Sequence, residues 1–402
     1  MSAQPQVAVV GGGLSGIMAA IAASRSGAPV ILIDEHPLMG GWMRSSIALI
    51  DDPPDVLEGL RGFESTVYGR KVLASSSIDC RPNTIVWGLF EDRTLAVVGP
   101  DGAYQLQPDK IILATGSTSI VWPFAGWTLP GVMTARAARA FMHLHFVRPG
   151  RQVAVIGRGE DADQMADEMR FAGATVARRF ETPDGVVAGG SGAVEWIEWR
   201  GERTPVDAIV LALDSLPDPE LARHAMAGME YSAANGCHVP VRDAHMETTV
   251  EGIYVVGDAG GRIPAAAAAA QGYVAGFAAT DSPELSNATA ILADSMQPSD
   301  RHVDVGDARR IPDDVQVDRE EQITAARIRE AIASGAVSVN DVKRKTRAGM
   351  GASQGRDTEY VIARMIHRQA GIPLDQLAPM TARPPARLIS LADLATIAAT
   401  TD

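Results

Sequence analysis

Residues 7–16 read VAVVGGGLSG, and the spacing of this stretch decides the fold. A β-branched run ends in Gly11, Gly13 and Gly16, spaced G-x-G-x-x-G. The Ala-rich run IMAAIAASRS follows, Gly27 closes it, and PVILIDE then forms a second buried strand ending in Asp34 and Glu35. Each position has a physical reason. Gly11 makes the tight turn from strand to helix, Gly13 lets backbone approach a pyrophosphate, and Gly16 lets the helix pack on the strand. The helix N-terminus, at Leu14 and Ser15, offers free N–H groups and a positive dipole end to an anion. An acid about 20 residues on accepts hydrogen bonds from a ribose. The spacing favours Asp34, with Glu35 beside it at the strand end. A lone fingerprint is weak. Strand, fingerprint, helix, strand and acid in register form a dinucleotide-binding unit.

Further stretches bear on which dinucleotide. Gly40 and Gly41 follow the acid as a tight turn. DKIILATGS (109–117) is an apolar strand ending in the small turn Thr115–Gly116. GIYVVGDAG (252–260) is a strand ending in Gly257 and Asp258. The helix after it contains AAAAAAQGYVAG, whose small side chains permit close approach to a cofactor and equally suit a plain buried helix. A carboxylate at Asp258 can take a ribityl hydroxyl, with the helix dipole facing a flavin's electron-rich end. The set resembles the two-dinucleotide-domain flavoproteins related to thioredoxin reductase. That resemblance assigns Gly11, Gly13, Leu14, Ser15, Gly16, Asp34 or Glu35, Gly41, Thr115, Gly116, Gly257 and Asp258 to FAD.

A second fingerprint follows. QVAVIGRGEDA (152–162) places Gly157, Gly159 and Ala162 as G-x-G-x-x-A after a strand. In the resemblance this inserted domain binds NAD(P)H. Glu160 and Asp161 oppose a phosphate in the first turn, and the next strand, ATVARRF, carries Arg178 and Arg179 with no ribose-binding acid evident. Arginines there suit a 2′-phosphate or another adenine nucleotide. A retained fold without a working nucleotide site is the alternative. The C-x-x-C pair of thioredoxin reductase is absent, which excludes disulfide reduction by two close thiols.

Composition agrees with an α/β chain. Its 402 residues suggest two to three domains, with 46% hydrophobic residues, 39 glycines and 5% aromatics. The net charge of −13 argues against a nucleic-acid partner. No basic and apolar leader and no 18-residue apolar run is evident, so neither a signal peptide nor a membrane span is expected. Cys80 and Cys237 are the two cysteines, which suits a reducing cytoplasm rather than a disulfide framework. His143 and His145 stand two apart and share no helical face, so no metal site is read from them.

Two blocks narrow the resemblance: VWGLFEDRTLAVVGP (86–100) and WPFAGWTLPGVM (122–133). With the C-terminal segment they are similar to the large FAD-binding subunit of heteromeric amine and imino-acid dehydrogenases and oxidases. The group includes octopine and nopaline oxidases, hydrogen cyanide synthase, dye-linked proline and hydroxyproline dehydrogenases and, more remotely, sarcosine oxidase. Ala125 and Trp42 depart from its pattern, where Pro and Gln are usual. The resemblance implies a hetero-oligomer with a D-amino-acid-oxidase-like FAD subunit that oxidises the C–N bond. It also allows FMN at a subunit interface, with a small third chain in the complex. No side chains of this chain are read as catalytic.

After a polar, Pro-punctuated stretch (281–313) come the helical runs ITAARIREAIASG, SVNDVKRKTR and DTEYVIARMIHRQAG, the last expected to be capped by Asp357. They resemble the module of bacterioferritin-associated ferredoxin (BFD-like), which holds a [2Fe–2S] cluster on four cysteines. Here the four positions fall on Asp318, Glu320, Ala348 and Ser353, so no cluster is expected, because such clusters need thiolates. Asp318 and Glu320 are read as solvated acids.

The expected architecture is thus α/β: two Rossmann-like domains of thioredoxin-reductase type, FAD-binding (1–148 and 238–280) and NAD(P)-binding-like (149–237), a linker (281–313) and a small helical domain (314–402). The leading function is the FAD-binding subunit of a heteromeric oxidoreductase acting on amines, opines or imino acids. A stand-alone FAD-dependent NAD(P)H oxidoreductase and a non-redox nucleotide-binding scaffold are the alternatives.

Overall fold

The computed structural model describes residues 6–47, 62–74, 76–296, 303 and 305–399. The chain forms two compact units: Met1–Ser117, Leu216–Arg301 and Ala382–Asp402 make the first, Thr118–Ser215 and His302–Thr381 the second. This division differs from the expected domain limits. Val132–Thr134 pairs in parallel with Ala208–Leu211, which carries the 118–148 stretch into the second unit. The helical module to Thr381 lies in the second unit, and the segment from Ala382 in the first.

The first unit is built on a five-stranded parallel sheet, in the order Ile253–Val255, Lys110–Leu113, Val7–Val10, Val30–Ile33, Asp79–Arg81. The chain leaves Val7–Val10 to one side first and the other side later, a switch point where α/β sheets bind ligands. Alternation along the strands splits the core. Val7, Val9, Val30, Leu32 and Ile112 face the helices Leu14–Arg25 and Ala265–Ala278. Val10, Ile31, Ile33, Ile111 and Leu113 face Leu89, Leu95 and Val97 of an antiparallel three-stranded layer. Each fully buried aliphatic side chain contributes roughly 1.5–3 kcal/mol.

The Ala-rich helix owes its composition to packing. A Cβ on Gly272 would stand 2.2 Å from Ser15 O, and one on Gly276 2.4 Å from Ala19 O, so only glycine lets it press on Leu14–Arg25. Within the stretch expected as a linker, Leu285–Ser295 is an 11-residue helix whose Ala288 and Leu292 join the same core; residues 297–302 and 304 fall outside the described residues.

The second unit repeats the pattern with a parallel sheet, in the order Thr175–Phe180, Gln152–Ile156, Ala208–Leu211, Val132–Thr134. Helix Gly159–Phe171 covers it with Met165, Ala166 and Met169. The helices Ala325–Ala333, Val339–Thr346 and Glu359–Ala370 follow. Ser338 caps the second of these through the Asp341 N–H, but the third starts from Thr358 rather than Asp357. The 122–133 block joins this module. Trp127 Nε1 donates to Gln316 O at 2.7 Å, and the buried Trp122 meets Tyr360 edge-on at 6.2 Å.

Candidate functional site

The first glycine loop has the geometry its sequence asks for. Gly11 sits at φ +105°, and a Cβ there would lie 2.2 Å from Ala114 O. Gly16 is as tight: its Cβ would lie 1.8 Å from Gly11 O. At Gly13 the opposite holds, with nothing within 4 Å of a Cβ, so open space lies over the loop at the start of helix Leu14–Arg25. This cradle fits a dinucleotide pyrophosphate.

The structure separates the two acids at the strand end. Asp34, 7% exposed, accepts the Gly12 N–H at 2.6 Å through Oδ2. Its Oδ1 accepts the His36 N–H at 2.8 Å and lies 3.2 Å from the ring Nδ1 of His36, and this side-chain hydrogen bond raises the His36 pKa against the opposing effect of burial. Glu35 points away and pairs with Arg387 at 3.2 Å. The double-glycine turn closes on the loop: Gly40 N–H donates to Gly12 O at 2.6 Å, and a Cβ on Gly41 would stand 3.1 Å from Gly13 Cα.

Three strand ends meet here. Thr115 Oγ1 donates to Asp218 O at 2.6 Å, and Gly116 O accepts the Asp218 N–H at 3.0 Å. Ser117 Oγ donates to Asp258 Oδ2 at 2.9 Å. Gly257, at φ +63°, is so close to Ser15 that a Cβ would lie 2.5 Å from its Oγ. The sequence-level residues of the first site are therefore neighbours in space.

Sequence reasoning missed Arg242, which braces the last of these turns. It donates to Val255 O at 2.8 Å, Gly260 O at 2.9 Å and Gln271 Oε1 at 3.2 Å, while Gln271 also accepts the Gly257 N–H at 2.9 Å. Burial pushes its pKa down to about 10, with Glu230 opposing. An isolated arginine in a polar stretch carries no periodic signal that marks it.

The second fingerprint is equally well formed and corrects one expectation. Gly157 N–H donates to Phe180 O at 2.8 Å, as Gly11 N–H does to Ile33 O at 2.8 Å. Ile156 pairs with Phe180 as Val10 pairs with Ile33. Glu181 thus holds the place of Asp34: an acid directly follows the strand, two residues past Arg179. It is exposed, with Arg158 Nε 3.7 Å away. Gly159 has open space around it, as Gly13 does. Arg178 bonds Thr204 Oγ1 at 2.9 Å and pairs with Glu202, and Arg179 pairs with Asp163. Asp161 and Glu168 both face Arg139, and His143 joins Glu168 at 3.3 Å.

In the C-terminal loop the expectation of solvated acids fails for Asp318, which is 2% exposed. Its carboxylate accepts the N–H groups of Gly349 (2.6 Å), Glu320 (2.9 Å) and Glu321 (3.0 Å), and Glu320 accepts that of Ser353 at 2.9 Å. Met380 Sδ fills the space against Gly349 and Gly355. These four positions offer no thiolate and do not fit an iron–sulfur cluster. Among the described residues no group of three or more His, Cys, Asp or Glu is placed to hold a metal ion. Cys80 and Cys237 are both half-buried. No helix among the described residues is long and apolar enough to cross a membrane.

Residues 6–96 match the FAD dependent oxidoreductase family and residues 314–401 the sarcosine oxidase A3 domain. An opine oxidase subunit of Agrobacterium tumefaciens (strain Ach5) is 28% identical over 96% of this chain and 90% of that protein. The alpha subunit of sarcosine oxidase from Rhizobium meliloti (strain 1021) is 26% identical over 94% of this chain and 41% of that protein. The crystal structure of L-proline dehydrogenase from P. horikoshii has the same fold, with a TM-score of 0.85 at 24% identity over 97% of this chain and 79% of that one.

Proposed function

We propose that this chain, a flavin-dependent oxidoreductase similar over nearly its whole length to an opine oxidase subunit, is the FAD-binding component of a hetero-oligomer. The complex acts on the C–N bond of an amine, opine or imino acid. Substrate oxidation takes place mainly in a D-amino-acid-oxidase-like partner with its own flavin. The observation that carries the reading is the open cradle at Gly13 over a loop tied to the buried Asp34. Gly11, Gly13, Leu14, Ser15 and Gly16 would hold the pyrophosphate, Asp34 the adenosine ribose, and Asp258 the ribityl chain, with Gly41, Thr115, Gly116 and Gly257 forming the walls. When bound, FAD supplies an acceptor of electron pairs that passes electrons on singly. The chain's own residues bind, orient and shield it.

The test is co-purification from the native host, with the bound cofactors and partner chain identified. A yellow complex with a second flavin-bearing chain is expected, FMN at the interface and a small third chain being further components to look for. The chain alone should oxidise amines poorly, and robust turnover of an amine or opine by the isolated chain would defeat the two-subunit reading.

Glu181 after the second fingerprint favours one alternative, an NAD(P)H oxidoreductase. Fast anaerobic bleaching of the flavin by NADH would support it. A colourless protein carrying ADP or ATP would instead point to a scaffold.

A further inference from the structure

We propose that the C-terminal segment 382–390 forms part of the first dinucleotide site, with Arg387 as a positioning residue for its adenosine end. The proposal rests on the reading of that site as an FAD site.

Arg387 Nε bonds Glu35 Oε2 at 3.2 Å, and its Nη2 bonds Asp218 Oδ2 at 2.8 Å. Those acids lie 352 and 169 residues away in sequence. Glu35 directly follows Asp34, the acid tied to the glycine loop. Asp218 holds the Thr115–Gly116 turn through both of its backbone polar groups. One guanidinium therefore spans the two strand ends that flank the loop, on the side where a ribose-binding acid places the adenosine half.

The segment is seated rather than loose. Ala386 is 2% exposed, lies in the core cluster with Ile33 and Leu113, and donates its N–H to Trp87 O at 2.6 Å. Pro384 packs beside Gly88, leaving 3.5 Å to a Cβ there.

Charge gives the arrangement its purpose. Asp34, Glu35 and Asp218 lie at these strand ends, and a pyrophosphate adds further negative charge. Arg387 cancels two of the carboxylates and fixes Glu35 in one orientation. Asp218 has a side chain only 5% exposed, so its charge is poorly screened without that partner.

The experiment uses the full chain, with its partner where one co-purifies. Wild type, Arg387→Gln and Arg387→Lys are stripped of flavin and titrated calorimetrically with FAD and with ADP, which has no flavin half. Thermal unfolding of the stripped proteins is followed in parallel. Arg387→Gln should weaken FAD and ADP alike by about tenfold, the scale of one charge-assisted hydrogen bond, and Arg387→Lys should recover part of it. Adding Glu35→Gln and Asp218→Asn to Arg387→Gln should restore most of the ADP affinity, because no unpaired charge is then left. Unchanged ADP binding in Arg387→Gln overturns the proposal. So does a loss that the triple variant fails to restore, or one matched by unfolding of the stripped protein. If the wild type binds neither FAD nor ADP, the FAD reading itself fails and takes this one with it. If the wild type binds both and Arg387→Gln binds them equally, only this inference falls.

Discussion

The Asp318 carboxylate takes the Gly349 N–H at 2.6 Å across 31 residues, closing the loop AGMGASQGR onto the strand before it. In the ferredoxin-like module that this region resembles, a cluster ties the same two segments together through four thiolates. Here hydrogen bonds from backbone N–H groups to carboxylates tie them. Asp318→Ala strands the buried Gly349 N–H and should cost about 2–4 kcal/mol in urea unfolding. Glu320→Ala, at an exposed site, should cost under about 1 kcal/mol. Equal losses would show that burial does not set the ranking.

The glycines of the first loop should separate folding from binding. Gly11 combines φ +105° with a Cβ position 2.2 Å from a backbone carbonyl, so Gly11→Ala strains the fold itself. Gly13 has open space, so Gly13→Ala should fold normally and lose flavin. The expected pattern is a stripped Gly13→Ala protein that melts with the wild type yet purifies with much less than half its yellow colour. Gly11→Ala should melt lower by about 2 kcal/mol or more even without flavin. A stripped Gly13→Ala protein as unstable as Gly11→Ala would refute the distinction.

Nucleotide choice at the second loop follows from Glu181. A carboxylate at the strand end accepts from a ribose 2′-hydroxyl and repels a 2′-phosphate. Arg178, the sequence-level candidate for that phosphate, is already held by Glu202 and Thr204. Any dinucleotide bound there should be NADH over NADPH by about tenfold or more in Kd, measured by anaerobic titration. A preference for NADPH would reverse the assignment.

Much of this is legible in the sequence because it is local. Glycine spacing and the apolar strand runs each lie within a few residues, and they place both fingerprints, Asp34, Thr115 and Asp258. What escapes is what distance hides. Glu181 is missed because it lies just past the strand ATVARRF, and only the pairing of Phe180 with Ile156 sets it in register with Asp34. Asp318 reads as a surface acid until the loop 31 residues later is folded over it. Arg242 and Arg387 look like ordinary charged residues, and their partners come from remote segments. The packing of residues 122–133 on the helical module likewise follows from tertiary contact, which sequence periodicity does not encode.

His224 should give the fold a measurable sensitivity to acid. Its side chain is fully buried, and burial pushes its pKa from 6.5 down to about 4, with the Arg383 backbone opposing and the Arg223 charge adding. Glu220 lies 3.8 Å away, too far for a hydrogen bond. The folded chain therefore keeps the ring neutral where the unfolded chain has already taken a proton. Stability is full above about pH 6.5, falls as pH drops toward about 4, and levels off below that as far as this residue is concerned. The slope from one such group cannot exceed about 1.4 kcal/mol per pH unit. Urea midpoints at pH 7.5, 6 and 4.5 should fall more steeply for the wild type than for His224→Gln, where no imidazole remains to titrate. Parallel curves for the two proteins would mean that other groups carry the acid response.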